Sequence, residues 1–240
     1  MLWQEPTGLG KISTGFKLGL TAFLIVAGIG YLLGFANIWL TYSPVDGKPG
    51  LSVTDVRIAF YGNRGVTALQ KAIDGPMKQY LASEADGARI KDWIDAGGKE
   101  SGFADLTSSF ESCLACHSKD VKTAGVVLED YASISPLLAQ DTGMPISRLV
   151  TLSHIHVLAT LPLIFLLCLV FSFTRFGNPF KGAVIVYSFA SIVMDIGSWW
   201  LAKASGSMAV LVILGGITLA VAFAALIVLS AYDIWLRKAD

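Results

Sequence analysis

The chain is short of the residues that most often do chemistry: its 240 residues include three cysteines and three histidines. Three cysteines cannot build a disulfide scaffold. Lysine plus arginine number 18, and aspartate plus glutamate also 18, so no excess of positive charge argues for a nucleic-acid partner. No glycine-rich nucleotide loop, hydrolytic triad or flavin motif is present. No stretch alternates apolar and polar residues convincingly at period two, so sheets have no pattern to form from. What the chain has in surplus is apolar residues, 54% of the total with a mean hydropathy of +0.62. That is more than one soluble core can bury, and it marks a membrane protein.

Crossing a hydrocarbon layer of about 30 Å takes roughly 20 helical residues. Four stretches qualify: residues 18–41, 149–173, 182–201 and 208–231. The first is too long for a cleaved signal sequence and lacks a small-x-small exit, so it reads as a retained anchor. Its Gly28, Gly30 and Gly34 allow close approach of a neighbouring helix. Lys11 and Lys17 precede the first span, Arg175 and Lys181 join the second to the third, and Arg237 and Lys238 follow the fourth. Lys203 alone lies between the third and fourth. By the positive-inside rule, residues 1–17 and 232–240 are cytoplasmic and residues 42–148 lie outside, in the periplasm of a bacterial inner membrane.

The outside segment reads as a string of short helices. "TYSPVDGKPG" is a turn-rich exit from the first span. Apolar spacing typical of helices then follows, broken at Gly62, Gly65 and Gly75-Pro76. "ARIKDWIDAGG" predicts a helix with Ile90, Trp93 and Ile94 on one side, stopped by Gly97-Gly98. "ADLTSSFESCLACH" predicts another, and residues 118–148 a looser run.

That last helix ends in Cys113-Leu114-Ala115-Cys116-His117. Two thiols at this spacing can form thioethers with the two vinyl groups of one porphyrin, with the adjacent imidazole as proximal iron ligand. This accounts for all three side chains, and the motif falls in the segment placed outside, where covalent haem is attached. A zinc site would recruit His154 and His156, but His-x-His is not the usual separation and His117 would have no role. A redox dithiol would need a βαβ context, which is missing. Cys168, in the second span, reads as a small buried apolar residue.

Cys113, Cys116 and His117 match the signature of the c-type cytochromes. "WIDAGGKESGFADLTSSFESCLACHS" resembles the W-x-x-x-G and C-x-x-C-H-S arrangement of many bacterial membrane-associated members. The resemblance implies one covalent haem c. It covers about 30 residues and departs from the soluble one-haem pattern, in which the motif comes early and a distal methionine much later. Here about 70 residues of outside segment precede the motif, so the ordinary cytochrome c fold does not follow.

A haem that only carries electrons usually has a second axial ligand. Met144, in "DTGMPIS", resembles the Met-Pro of methionine-ligated cytochromes. Otherwise it is a loop methionine packing under its domain. His154 and His156 lie roughly 8 to 12 Å inside the outer end of the second span, where polar side chains are functional candidates by default. Two residues apart on a helix means about 200° of rotation, so only one of them can face a given iron. His154, nearer the water, is slightly favoured. The alternative is that both bond within the bundle.

Asp195 lies roughly 9 Å below the outer end of the third span. It can orient a histidine, accept a proton at a quinol site, or pair with Lys203. Trp199 and Trp200 read as interfacial anchors. Asp233 and Arg237, at i, i+4, read as a surface pair. Arg148 can meet a haem propionate or anchor the membrane edge.

The expectation is an all-α membrane protein with four transmembrane helices and a mainly helical, haem-bearing periplasmic insertion between helices one and two. It would carry electrons at the periplasmic surface, through Cys113, Cys116, His117 and a distal His154 or His156. Expected partners are membrane lipids, other subunits of a redox complex and a soluble periplasmic carrier, with quinone as a further candidate and no nucleic acid. The alternatives are a quinol-oxidising cytochrome with a site near His156 and Asp195, or a haem-based sensor with an open iron.

Overall fold

The computed structural model describes residues 8–43, 45–46, 48–121 and 125–237. Every regular element among them is helical, apart from one isolated bridge between Thr67 and Gln140. Four helices are long and apolar enough to cross a membrane: α1 (Thr14–Tyr42), α7 (Ile146–Ser172), α8 (Asn178–Ala204) and α9 (Ala209–Trp235). Between α1 and α7 lie α2 (Val53–Phe60), α3 (Ala68–Asp74), α4 (Glu84–Asp95), α5 (Thr107–His117) and α6 (Tyr131–Ile134). The chain divides into a bundle, residues 1–41 and 145–240, and an insertion, residues 42–144.

In the bundle, α7, α8 and α9 surround a core of Ile164, Leu167, Cys168, Phe171, Ile192, Phe223 and Leu226. Cys168 is buried there, as its apolar neighbours in sequence suggest. Helices α8 and α9 approach so closely that a Cβ on Gly215 would stand 2.8 Å from the Asp195 Cα, room that only glycine leaves. Helix α1 is peripheral, with only Leu24 and Ala27 buried. Gly28 faces Ile227, but a Cβ on Gly30 or Gly34 would meet nothing within 4 Å among the described residues. The Tyr31 ring stacks on Phe223 at 4.5 Å, and the Trp235 indole donates to Thr21 Oγ1 at 2.9 Å.

One end of the bundle is closed by buried charge. Asp233 is fully buried, where an isolated carboxylate would be costly, so it needs partners. The Leu9 N–H donates to its Oδ2 at 3.0 Å, and the Arg175 N–H and Nε donate to Oδ1 at 3.2 and 3.1 Å. The Arg175 guanidinium also donates to the carbonyls of Asp233 and Arg237. The expected surface pair with Arg237 is therefore corrected: that guanidinium is 3.8 Å away, and the closer ion pair is with Arg175. Buried Lys181 donates to the carbonyls of Ser172 and Thr174, placing a cation where α7 leaves its last carbonyls open.

The insertion is written by local signals. Ser52 and Asp55 form a capping box on α2, Thr67 and Gln70 form one on α3, and the Ser83 side chain caps α4. Helix α4 stops where Gly98 N–H bonds back to the Trp93 carbonyl at 2.9 Å, with Gly97 and Gly98 both at positive φ. Ile73, Ile90, Trp93, Phe103, Phe110 and Ile134 form its core. Buried Asp141 takes the Asn63 N–H at 2.7 Å and the Lys71 ammonium at 3.1 Å, stitching the end of the insertion to its early helices. The run expected to be loose contains α6 and a 3₁₀ turn, Ser135–Leu138, and α7 begins at Ile146.

Replacing Asp233 by Ala takes the carboxylate from the largely buried Arg175 guanidinium. A loss of about 3 kcal/mol or more in bundle stability is expected, read from denaturant titration of the full chain in detergent. Arg175→Lys, which keeps the charge but not the planar fork, should lose less.

Candidate functional site

Phe103, Leu106 and Phe110 bury one side of α5 and its lead-in, which fixes how the final turn presents its side chains. Cys113 and His117 are one turn apart on the same face, with Cys116 beside them. Both thiols are free. Cys113 is half-buried against the insertion core with Leu114, and Cys116 is exposed. Burial is the main influence that pushes the Cys113 thiol up, a Ser112 hydrogen bond pulls it back, and the Asp86 charge adds to the rise. Among the described residues, no group of three or more His, Cys, Asp or Glu side chains is gathered to hold a metal ion.

The decisive detail is at the His117 ring. Its Nδ1 lies 3.0 Å from the Val126 carbonyl. A carbonyl can only accept, so Nδ1 carries the proton and Nε2 keeps its lone pair. This is how a metal-binding histidine is usually oriented. The same segment is held twice more: Leu128 N–H donates to the His117 carbonyl at 2.9 Å, and Lys119 N–H donates to Glu129 at 2.7 Å. A strap thus returns across the end of α5. The Val126 contact is not legible in the sequence, because a backbone carbonyl nine residues away leaves no side-chain signature.

The strap's own anchor is Asp130, which caps α6 by accepting from Ser133. The Lys119 ammonium, 2.9 Å away, and then the Ser133 hydroxyl hold its carboxyl down at about 2.

The remaining candidates divide between the two units. Met144 is buried in the insertion, with its N–H on the Ala59 carbonyl, and is not part of the core that Cys113 and Leu114 join. Arg148 and His154 are exposed on the first turns of α7. His156 is drawn into the bundle's own polar contacts. Its Nδ1 donates to the Leu152 carbonyl at 2.9 Å, and its ring packs edge-on against Trp199 at 4.9 Å. Trp199 donates to Asp195, so it belongs to this cluster and is not simply an interfacial anchor. The i, i+4 spacing of Asp195 and Trp199 was the available signal. Trp200 donates to Ser153 Oγ at 3.1 Å.

Residues 141–240 match a family model described as a transmembrane helical domain. The match takes in α7, α8 and α9 and begins after the Cys113–His117 motif. No curated protein and no solved structure matches the chain.

Because the folded Asp130 carboxyl lies below its ordinary value near 4, its stabilising effect is present above about pH 4 and is lost as pH falls toward 2. Pepsin cleavage within residues 125–134, mapped by mass spectrometry, should accelerate over that window in the wild type. In Asp130→Asn it should already be fast at about pH 4.

Proposed function

We propose that this protein is a membrane-bound c-type cytochrome that carries one covalent haem on its insertion and transfers electrons at the outer membrane surface, as a subunit of a larger redox complex. The observation that carries the reading is the His117 ring. It is locked by Val126 with Nε2 left as a lone pair, one turn from Cys113 and next to Cys116. In this reading Cys113 and Cys116 hold the porphyrin through thioether bonds and His117 is the proximal ligand. Haem supplies a reversible one-electron couple. The chain supplies the rest: the insertion core sets the helix face, and the strap fixes the imidazole.

His154 is the proposed distal ligand. It is exposed and makes no hydrogen bond among the described residues, whereas His156 is turned to Trp199. Arg148, exposed and also without an ion pair among the described residues, is the proposed propionate partner. The orientation is supported by the gathering of Lys17, Arg175, Lys181 and Arg237 at the end of the bundle that Asp233 closes. That end is the proposed cytoplasmic side, so the insertion faces a periplasm and meets a soluble carrier there.

Acid-acetone extraction of the chain purified from its native membrane should leave pigment on the polypeptide. Reduced-minus-oxidised spectra should show low-spin bands that carbon monoxide does not move. The double variant Cys113→Ala/Cys116→Ala should release the pigment on extraction, and His154→Ala should open the iron to carbon monoxide. Pigment lost from the unaltered chain refutes the thioether assignment. Retained pigment that binds carbon monoxide in the unaltered chain refutes the six-coordinate carrier.

A further inference from the structure

The bundle holds a second polar cluster, unrelated to the charged knot at Asp233. Asp195 of α8 is buried and accepts from Trp199 one turn on, and the His156 ring of α7 stands within electrostatic reach of its carboxylate. From α1, Tyr31 is also within electrostatic reach of Asp195, and its hydroxyl donates to the Gly216 carbonyl of α9 at 3.4 Å. All four spans thus contribute to one polar centre. It is deep: at 1.5 Å per residue, His156 is about 15 Å from the start of α7 and Asp195 about 14 Å from the end of α8. Both are deeper than the sequence suggested, because the helices run beyond their most apolar stretches.

Polar groups at that depth are costly and mark functional sites by default. The His156 tautomer says what they can bind. Nδ1 donates to Leu152, so Nε2 is an acceptor, and the Asp195 carboxyl, within electrostatic reach of the ring, is a second. The centre therefore suits a ligand that brings hydroxyl donors. Val157 and Ile196, the chain neighbours of His156 and Asp195, line a groove of about 410 Å³ between α7 and α8, together with Leu161, Ile192, Gly197 and Trp200. Every one of these side chains is apolar along the groove, which suits a hydrocarbon tail.

We infer that the bundle binds a quinol, its hydroxyl-bearing ring at His156 and Asp195 and its isoprenoid tail in the groove between α7 and α8. A phospholipid does not fit the same place, since its phosphate would have to leave the headgroup layer and lie against a carboxylate. The preference for a redox-active ring over another neutral amphiphile rests on the electron-transfer reading above. The binding itself does not require the haem.

The test uses the full chain in detergent and a benzoquinol with a decyl tail, with binding followed by equilibrium dialysis. A Cβ on Gly197 would meet nothing within 4 Å, so Gly197→Leu can start its side chain into the groove without a clash at Cβ. Saturable binding at about one per chain is expected for the wild type, weakened about tenfold or more in both Gly197→Leu and His156→Phe. The weakening in Gly197→Leu should shrink for a tail-less benzoquinol, and the thermal midpoints of the two variants should stay near that of the wild type. Non-saturable uptake, or equal binding by all three proteins, overturns the inference. So does full displacement of the quinol by a sterol lacking a quinone ring, which would mean that the ring is not recognised. None of these readings uses the pigment, so failure of the haem assignment is seen separately, in the extraction experiment.

Discussion

A helix with no water around it has to satisfy every polar group from within the chain, and the bundle's arrangement follows from that constraint. Helical backbone meets most of the demand on its own. The exceptions are the side chains and loop groups that cannot: Asp233, Asp195, Lys181 and the open carbonyls at the end of α7. Asp233 and Lys181 are resolved by reaching across to another element, Asp195 by a bond within its own helix. Asp233 draws in the α7–α8 connection and the Leu9 backbone, and Lys181 folds back onto α7. Asp195 draws in Trp199 and stands within reach of His156 and Tyr31. The apolar core fills space among the helices, but these polar demands specify which helix faces which.

The insertion is organised on the opposite plan. Its helices are short, and four of the five are begun by a side chain that caps them: Ser52 on α2, Thr67 on α3, Ser83 on α4 and Asp130 on α6. Isolated helices of 7 to 12 residues are marginal in water, so the aromatic core around Trp93, Phe103 and Phe110 supplies the cooperativity. The candidate site sits at the edge of this core, where one thiol is half-sheltered and the other open.

Local patterns made the spans, the glycine stop after α4 and the position of the motif at a helix end legible in the sequence, because each depends on residues close together. Long-range partners were not legible. Asp233 has an arginine four residues on, which made a surface pair the natural reading, while its closer partner Arg175 is 58 residues away. Trp199 reads as an interfacial anchor from its place near a helix end, and only the fold shows the carboxylate and imidazole it joins. The Val126 carbonyl that orients His117 belongs to no side chain at all. Sequence reading named candidate residues but not the groups that hydrogen-bond to them.

The bond from Leu9 to Asp233 spans 224 residues, nearly the whole length of the chain. A ribosome adding about 5–20 residues per second makes the second partner roughly 11–45 s after the first. For all that interval the knot cannot close, and α1 must wait in the bilayer with few fixed neighbours. The insertion, residues 42–144, has been fully synthesised well before then. Its own core can condense, and its cysteines can be modified, while the membrane helices are still arriving. Completion of the last helix is therefore the event that locks the first.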